Sequence, residues 1–316
     1  MIYLRCFMNI IHLKYAVEVA LLGSISKASE SLAVAQPNIS RAIKDLESEL
    51  DIAIFDRTAK GMTLTADGKD LIARARAVLN QIDEFESAYK RSAPRKQTFS
   101  LSAPRAAYIA EAFAAFTRCI DGETAEIVFD ETGTYNTIKK IISSECKLGI
   151  IRYDADAQRY FEELLRKNEL ESRHITDFRY TVITSAKSPL ATKRVISEGD
   201  LTEFIQITHT DPYEATLTAS DSKEPDLRIS SEKRIYLLDS AAQLELLAEN
   251  SKTFMWMSPL PEILLDRYGL VQIACDGSGK LYRDTLIYRK NHKFSMLDNA
   301  FIDYLTDSTK ATAKIL

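Results

Sequence analysis

Apolar residues recur along residues 36–50 at Ile39, Ile43, Leu46 and Leu50, a spacing that places them on one stripe of a helix. Another face carries Gln36, Ser40 and Lys44, spaced by four, with Arg41 beside them. Those side-chain types read base edges and hold phosphates. Pro37 stands in the first turn, where a missing N–H costs nothing. Just upstream, Ile25, Ala28 and Leu32 predict a shorter helix with Ser24 as its N-cap. Ala33–Val34–Ala35 joins the two without the usual glycine. The stretch Ser24–Leu50 therefore predicts a helix-turn-helix. A buried helix pair alone does not explain Gln, Ser, Arg and Lys gathered on one exposed side, so binding of DNA is the expectation.

The surrounding pattern extends this unit. Asn9–Leu22 predicts an amphipathic helix with Leu13, Ala16, Val17, Ala20 and Leu21 inward, ended by Gly23. Asp51–Thr65 predicts a small β-wing anchored by Ile52, Ile54 and Phe55, with Lys60–Gly61 as its turn; Arg57 and Lys60 are placed to touch flanking backbone or minor groove. Thr65 then caps a helix from Ala66 to about Ser92. Its Leu71, Ala75, Val78, Ile82, Phe85 and Tyr89 are spaced 4, 3, 4, 3, 4, a heptad seam. The expected partner is the same helix of a second copy, which would also duplicate the recognition helix for two half-sites.

After the polar linker Ser92–Gln97 the pattern becomes short apolar strands alternating with helices. Strands are predicted at Phe99–Ser102, Ala125–Asp130 and Leu148–Arg152, with helices near Arg105–Arg118, Tyr135–Ser144 and Ala157–Lys167. A second series has strands at Phe178–Ser185, Phe204–Thr208, Arg234–Leu238 and Thr253–Trp256, closed by Leu270–Ala274 and Leu281–Tyr288. Its helices are expected near Asp211–Thr218, Ser240–Glu249, Pro259–Tyr268 and Leu297–Leu305, followed by a loose polar tail. This predicts an α/β region with a largely parallel sheet.

Composition narrows the function classes. The 316 residues suffice for two or three domains, and 46% hydrophobic with 27% charged residues is ordinary for a globular protein. A net charge of −4 argues against bulk polyanion binding. Residues 8–65 hold 6 basic and 7 acidic side chains, so a DNA surface must come from placing few cations on one face. Cys6, Cys119, Cys146 and Cys275 are far apart and read as free thiols of a cytoplasmic protein. The four histidines are scattered, so neither a metal site nor a cofactor is expected. No signal peptide or membrane span is legible, and Met8 is a candidate start because the helical pattern begins just after it. No GxSxG, Walker A or HExxH motif is present, and an enzyme is not expected.

Residues 13–68, LKYAVEVALLGSISKASESLAVAQPNISRAIKDLESELDIAIFDRTAKGMTLTADG, resemble the opening of the LysR-type transcriptional regulators. The matched pattern is GS at the second helix start, A–x–x–L, QPxxSxxIxxLExxL, then F–x–RT–x–x–G–x–x–LT–x–x–G. The resemblance implies a winged helix-turn-helix (8–65), a dimerising linker helix and hinge (66–96), and an effector domain (97–316). That domain would be of the periplasmic-binding-protein kind, with one subdomain of 97–168 plus 276–305 and another of 169–275. Family contacts to DNA carry over to Ser24, Lys27, Gln36, Pro37, Ser40, Arg41, Arg57 and Lys60. Three features depart from the pattern: Ala35 replaces the usual Ser or Thr, Met1–Phe7 lies outside it, and LLAENSKTFMWMSP stands where a glycine-rich stretch is usual.

In such folds ligands lie between subdomains, at strand carboxyl ends and helix N-termini. Ser102, Arg105, Thr132, Thr134, Thr208 and Ser240 occupy such positions, and Arg152 lies at the hinge. Hydroxyls with Arg105 and Arg152 favour an anionic group, whereas Asp130, Glu131 and Asp239 favour a polar or amine-bearing one. His209 reads as a loop histidine. The expected function is a regulator binding an interrupted inverted repeat as a homodimer or homotetramer, modulated by a small effector. A ligand-independent regulator with a closed or filled cleft is the alternative. RNA polymerase is a further candidate partner.

Overall fold

The computed structural model describes residues 8–58, 61–89, 97–121, 124–209, 231–238, 240–275 and 280–313. The chain divides into two compact units, Met1–Arg95 with Ile142–Glu145, and Lys96–Ile141 with Cys146–Leu316.

In the first unit, helix α1 (Ile10–Leu22) starts at Asn9, whose side chain accepts from Ile11 N, and ends at left-handed Gly23. Leu13, Ala16 and Val19 are buried; Val17 and Ala20 are half-buried, while Leu21, expected inward, is 66% exposed. The stripe is therefore rotated toward Val19. Helix α2 (Ile25–Leu32) is capped by Ser24, as its sequence predicts. Ala33 takes φ 51°, the left-handed region that glycine would occupy without strain. Helix α3 (Gln36–Leu50) has Ala35 at its N-cap with no side-chain hydrogen bond. Ile39, Ala42, Ile43 and Leu46 are buried between α3 and α1.

The wing is strand β1 (Phe55–Thr58) paired antiparallel with β2 (Gly61–Leu64). Gly61 has φ 121°, and a Cβ there would lie 2.7 Å from the Gly23 carbonyl oxygen, so the wing abuts the end of α1 as only glycine permits. Thr65 Oγ1 accepts from Gly68 N at 2.8 Å and opens helix α4 (Ala66–Tyr89). A Cβ on Gly68 would approach the Ile54 carbonyl oxygen to 2.0 Å, which explains the glycine after LT–x–x.

Helix α4 splits the expected seam. Ala75 is buried with Ile72 and Leu79 in the core of its own domain, and Leu71 packs against that core. Ala75 is thus not available to a second copy, because α4 turns its i, i+3, i+7 stripe onto α1 first. Val78 and Phe85 are exposed at 42% and 67%, and Ile82 is half-buried. Tyr89's side chain and residues 90–96 lie outside the described residues.

The second unit contains two sheets. Strands β3 (Gln97–Ala103), β4 (Ala125–Glu131), β5 (Leu148–Asp154) and β6 (Leu170–Phe178) alternate with helices α5 (Ala107–Phe116), α6 (Thr134–Ile142) and α7 (Gln158–Lys167). Strands β7 (Thr181–Ser185), β8 (Val195–Ile196), β9 (Ile205–His209), β10 (Lys233–Leu237), β11 (Thr253–Met257) and β12 (Leu270–Cys275) follow, with helices α8 (Gln243–Glu249) and α9 (Glu262–Tyr268). Strand β13 (Tyr282–Arg289) and helix α10 (Met296–Ala313) complete the unit. The first sheet runs β4-β3-β5-β13-β6 and the second β10-β9-β11-β7-β12-β8.

Three expectations are corrected. Both sheets are mixed rather than largely parallel: β13 is antiparallel to β5 and β6, and β7 is antiparallel to β11 and β12. Strand β6 joins the first sheet, so residues 170–178 leave the expected second subdomain. It is an edge strand with mostly exposed or half-exposed side chains, and hydropathy shows no apolar run there. The C-terminal tail is helical to Ala313 instead of loose beyond Asp307, because α10 packs along α5. Phe99, Phe116 and Phe301 lie at the centre of that core, with the Phe99 centroid 4.5 and 5.3 Å from the other two. The predicted helix at Asp211–Thr218 lies outside the described residues.

Candidate nucleic-acid interface and effector cleft

Burying Ile39, Ile43 and Leu46 turns Gln36, Pro37, Arg41 and Lys44 outward on α3. Lys27, on α2, is exposed as well. Lys27, Arg41 and Lys44 form no ion pair among the described residues, so their charges stay available to phosphate. Ser40 is half-buried; with Lys44, Ile25, Ile43, Glu47, Phe55 and Met62 it lines a cavity of about 220 Å³ between α2, α3 and the wing. Ser24 Oγ accepts from Lys27 N at 3.4 Å, capping the start of α2. Arg57 lies on β1, with its side chain outside the described residues, as is Lys60 altogether.

One contact the sequence reading missed holds this interface together. Glu47 Oε1 accepts from Ile54 N at 2.8 Å and Phe55 N at 3.2 Å, fastening the wing to the recognition helix. The signal was the Glu of LExxL, whose carboxylate lies one turn from the end of α3.

The effector-side expectations separate into two groups. Several residues are consumed by the fold. Ser102 is fully buried, its hydroxyl 3.2 Å from Asp130 Oδ2 and 3.1 Å from Thr137 Oγ1. Thr134 Oγ1 donates to the Arg152 carbonyl at 2.6 Å and accepts from Arg152 N at 3.0 Å, which docks the start of α6 on β5. Arg152 donates through Nε and Nη2 to the Asp284 carboxylate at 2.8 and 2.7 Å, and its guanidinium lies 4.5 Å above the Phe178 ring. Burial alone would lower its pKa; Asp284, with Tyr180 and Tyr108, more than offsets that and raises it. Arg152 is thus a charge already neutralised, not a free anion-binding group. Asp284 also accepts from Tyr108 Oη at 2.5 Å. Burial and the Asp284 charge push the Tyr108 phenol well above its ordinary range.

The second group meets at the carboxyl ends of β3, β4, β9 and β10. Ser240 Oγ donates to Glu131 Oε2 at 2.7 Å, linking the end of β4 in the first sheet to the segment after β10 of the second. Arg105 Nη2 reaches the Leu238 carbonyl at 3.5 Å, and its Nε is enclosed with no partner among the described residues. His209 is the last residue of β9 rather than a loop residue, and its Nε2 lies 2.9 Å from Gln243 Oε1. Burial lowers the His209 pKa, and nearby Arg105 lowers it further, against the opposing pull of Gln243, the Leu237 backbone and Glu131. Thr132 Oγ1 accepts from Asn136 Nδ2 at 3.4 Å, and Thr208 is buried on β9. Among the described residues no cluster of His, Cys, Asp or Glu could hold a metal, and no helix is long and apolar enough to cross a membrane. Cys119, Cys146 and Cys275 are thiols rather than half-cystines.

Comparison with known proteins bears on both regions. Residues 10–69 match the family model of the bacterial regulatory helix-turn-helix protein, lysR family. The nitrogen assimilation regulatory protein nac of Klebsiella aerogenes is 40% identical over 81 residues, 26% of this chain and 27% of that protein. The match thus spans about a quarter of that relative's length. The uncharacterized HTH-type transcriptional regulator YvbU of Bacillus subtilis (strain 168) is 27% identical over 274 residues, 82% of this chain and 87% of that protein. A full-length OxyR variant from Pseudomonas aeruginosa has the same fold, with a TM-score of 0.60 at 17% identity over 98% of this chain and 97% of that one.

Proposed function

We propose that this chain, whose residues 10–69 match the lysR-family helix-turn-helix model, is a sequence-specific DNA-binding transcriptional regulator and not an enzyme. The observation that carries the reading is helix α3. Ile39, Ile43 and Leu46 of its apolar stripe are buried, while Gln36, Arg41 and Lys44 are exposed and make no side-chain hydrogen bond or ion pair among the described residues. Gln36 suits an adenine edge, and Arg41 a guanine edge or a phosphate. Ser24, Lys27 and Ser40, Pro37 at the helix start, and Arg57 and Lys60 of the wing complete the surface that meets the duplex. Two copies joined through α4, with Val78, Ile82 and Phe85 on the seam, present two such helices to an interrupted inverted repeat. Dimers that pair again, contact with RNA polymerase and a cytoplasmic location belong to the same reading.

The cleft of the C-terminal unit is the effector site in this reading. Arg105, Thr132, Thr208 and Ser240 supply its polar groups, and a bound metabolite shifts the balance between quaternary states for which it has different affinities.

Selection of bound duplexes from a random pool, repeated with Arg41→Ala, tests the DNA reading. An interrupted inverted repeat, relaxed by the substitution, is expected. Recovery of no motif at low salt overturns sequence-specific recognition.

A further inference from the structure

Among the described residues the charges at these strand ends do not all pair. Arg152 is paired with Asp284. Asp130 is paired with Lys140 at 2.7 Å. One cation and one anion are left at the strand ends, Arg105 and Glu131, and neither forms an ion pair among the described residues. Both lie near enough to His209 for their charges to act on its ring.

Two buried atoms lie beside them: among the described residues Arg105 Nε, a donor, has no acceptor, and His209 Nδ1 has no hydrogen-bond partner within bonding geometry. His209 Nε2 lies 2.9 Å from Gln243 Oε1, and a neutral ring keeps one nitrogen as donor and the other as acceptor. Burial favours this neutral ring. Glu131 accepts from Ser240 through Oε2, leaving Oε1 for a second donor. Enclosed polar groups without partners are costly, and a native protein normally satisfies them with water or ligand.

The unmet requirements have a definite pattern. An anionic acceptor is needed beside Arg105. A cationic donor is needed beside the Glu131 carboxylate. A dicarboxylate would set its second charge against Glu131, and a simple amine would leave Arg105 without a counterion. Water can fill the hydrogen bonds but neither charge.

We propose that the cleft binds a small α-amino acid as its zwitterion, with the carboxylate on Arg105 and the ammonium on Glu131. This rests on the effector reading above and names the ligand class for that site.

Calorimetric titration of the full-length protein with each of the twenty protein L-amino acids, with butyrate and n-butylamine as single-charge probes, tests it. At least one amino acid is expected to bind, with both single-charge probes at least about a hundredfold weaker. Arg105→Met and Glu131→Gln should each weaken that binding by about tenfold or more. Unliganded melting temperatures of the variants report whether they fold; Glu131→Gln keeps an acceptor for Ser240. Binding of butyrate as tight as that of any amino acid, binding indifferent to Glu131→Gln in a folded variant, or no binding by any of the twenty overturns the assignment. A DNA footprint taken with the same probes separates the two levels. A footprint that responds only to single-charge probes removes the amino acid and keeps the effector reading. A bound amino acid that leaves the footprint unchanged keeps the ligand class and removes the switch.

Discussion

Arg152 and Asp284 face each other across neighbouring antiparallel strands and form a two-pronged ion pair, 9% and 0% exposed. The pair lies where the chain passes from the first sheet into the second, against Phe178 and Tyr180. Removing one partner leaves the other charge buried. Asp284→Ala should cost about 3–5 kcal/mol, read as a lower urea midpoint of the C-terminal unit. The double change Arg152→Met with Asp284→Leu should recover most of that loss, because no uncompensated charge remains.

Glu47→Ala strips two backbone N–H groups of their acceptor at the junction of recognition helix and wing. A loss of about 1–3 kcal/mol in the N-terminal domain is expected. Glu47→Gln, which keeps an acceptor oxygen, should lose less. Thermal unfolding of the two variants side by side checks the difference.

Ala35 occupies an N-cap that lacks a side-chain acceptor. Ala35→Ser should stabilise the domain by about 1 kcal/mol by capping the first free N–H groups of α3. An unchanged melting temperature would mean that the backbone at Ala35 does not let the hydroxyl reach them.

Asp298 gives a pH signature. Burial works against its charged form, but the His292 ring at 3.2 Å and the Ser295 N–H at 2.8 Å, with the Ser295 hydroxyl, outweigh it and hold the pKa below the usual carboxylate range. A carboxyl lowered on folding adds stability that is complete above its unfolded pKa of about 4 and is lost as pH falls through the lower folded value. Asp298→Asn should therefore flatten the acid limb of the stability profile below about pH 4. Urea midpoints across that range check it.

Much of the DNA-binding unit is legible locally. Its caps, its glycines and its stripe of Ile39, Ile43 and Leu46 act within a few turns of chain, where spacing alone decides which side chains share a face. Strand β6 is illegible for the opposite reason: its pairing with β13 joins residues more than a hundred apart, and an edge strand needs no apolar run. The α4 seam follows from spacing alone, and tertiary packing claims Ala75 for α1.

The polar groups at the strand ends divide in the same way. Hydropathy marks where each strand stops, so their places are legible locally, whereas which of them are spent depends on long-range pairing. Arg152 meets Asp284 across 132 residues of chain, and Ser240 meets Glu131 across 109. Arg105 and His209 keep enclosed atoms without hydrogen-bond partners among the described residues. Charge pairing at that range depends on how strands cross between sheets, and hydropathy carries no record of it.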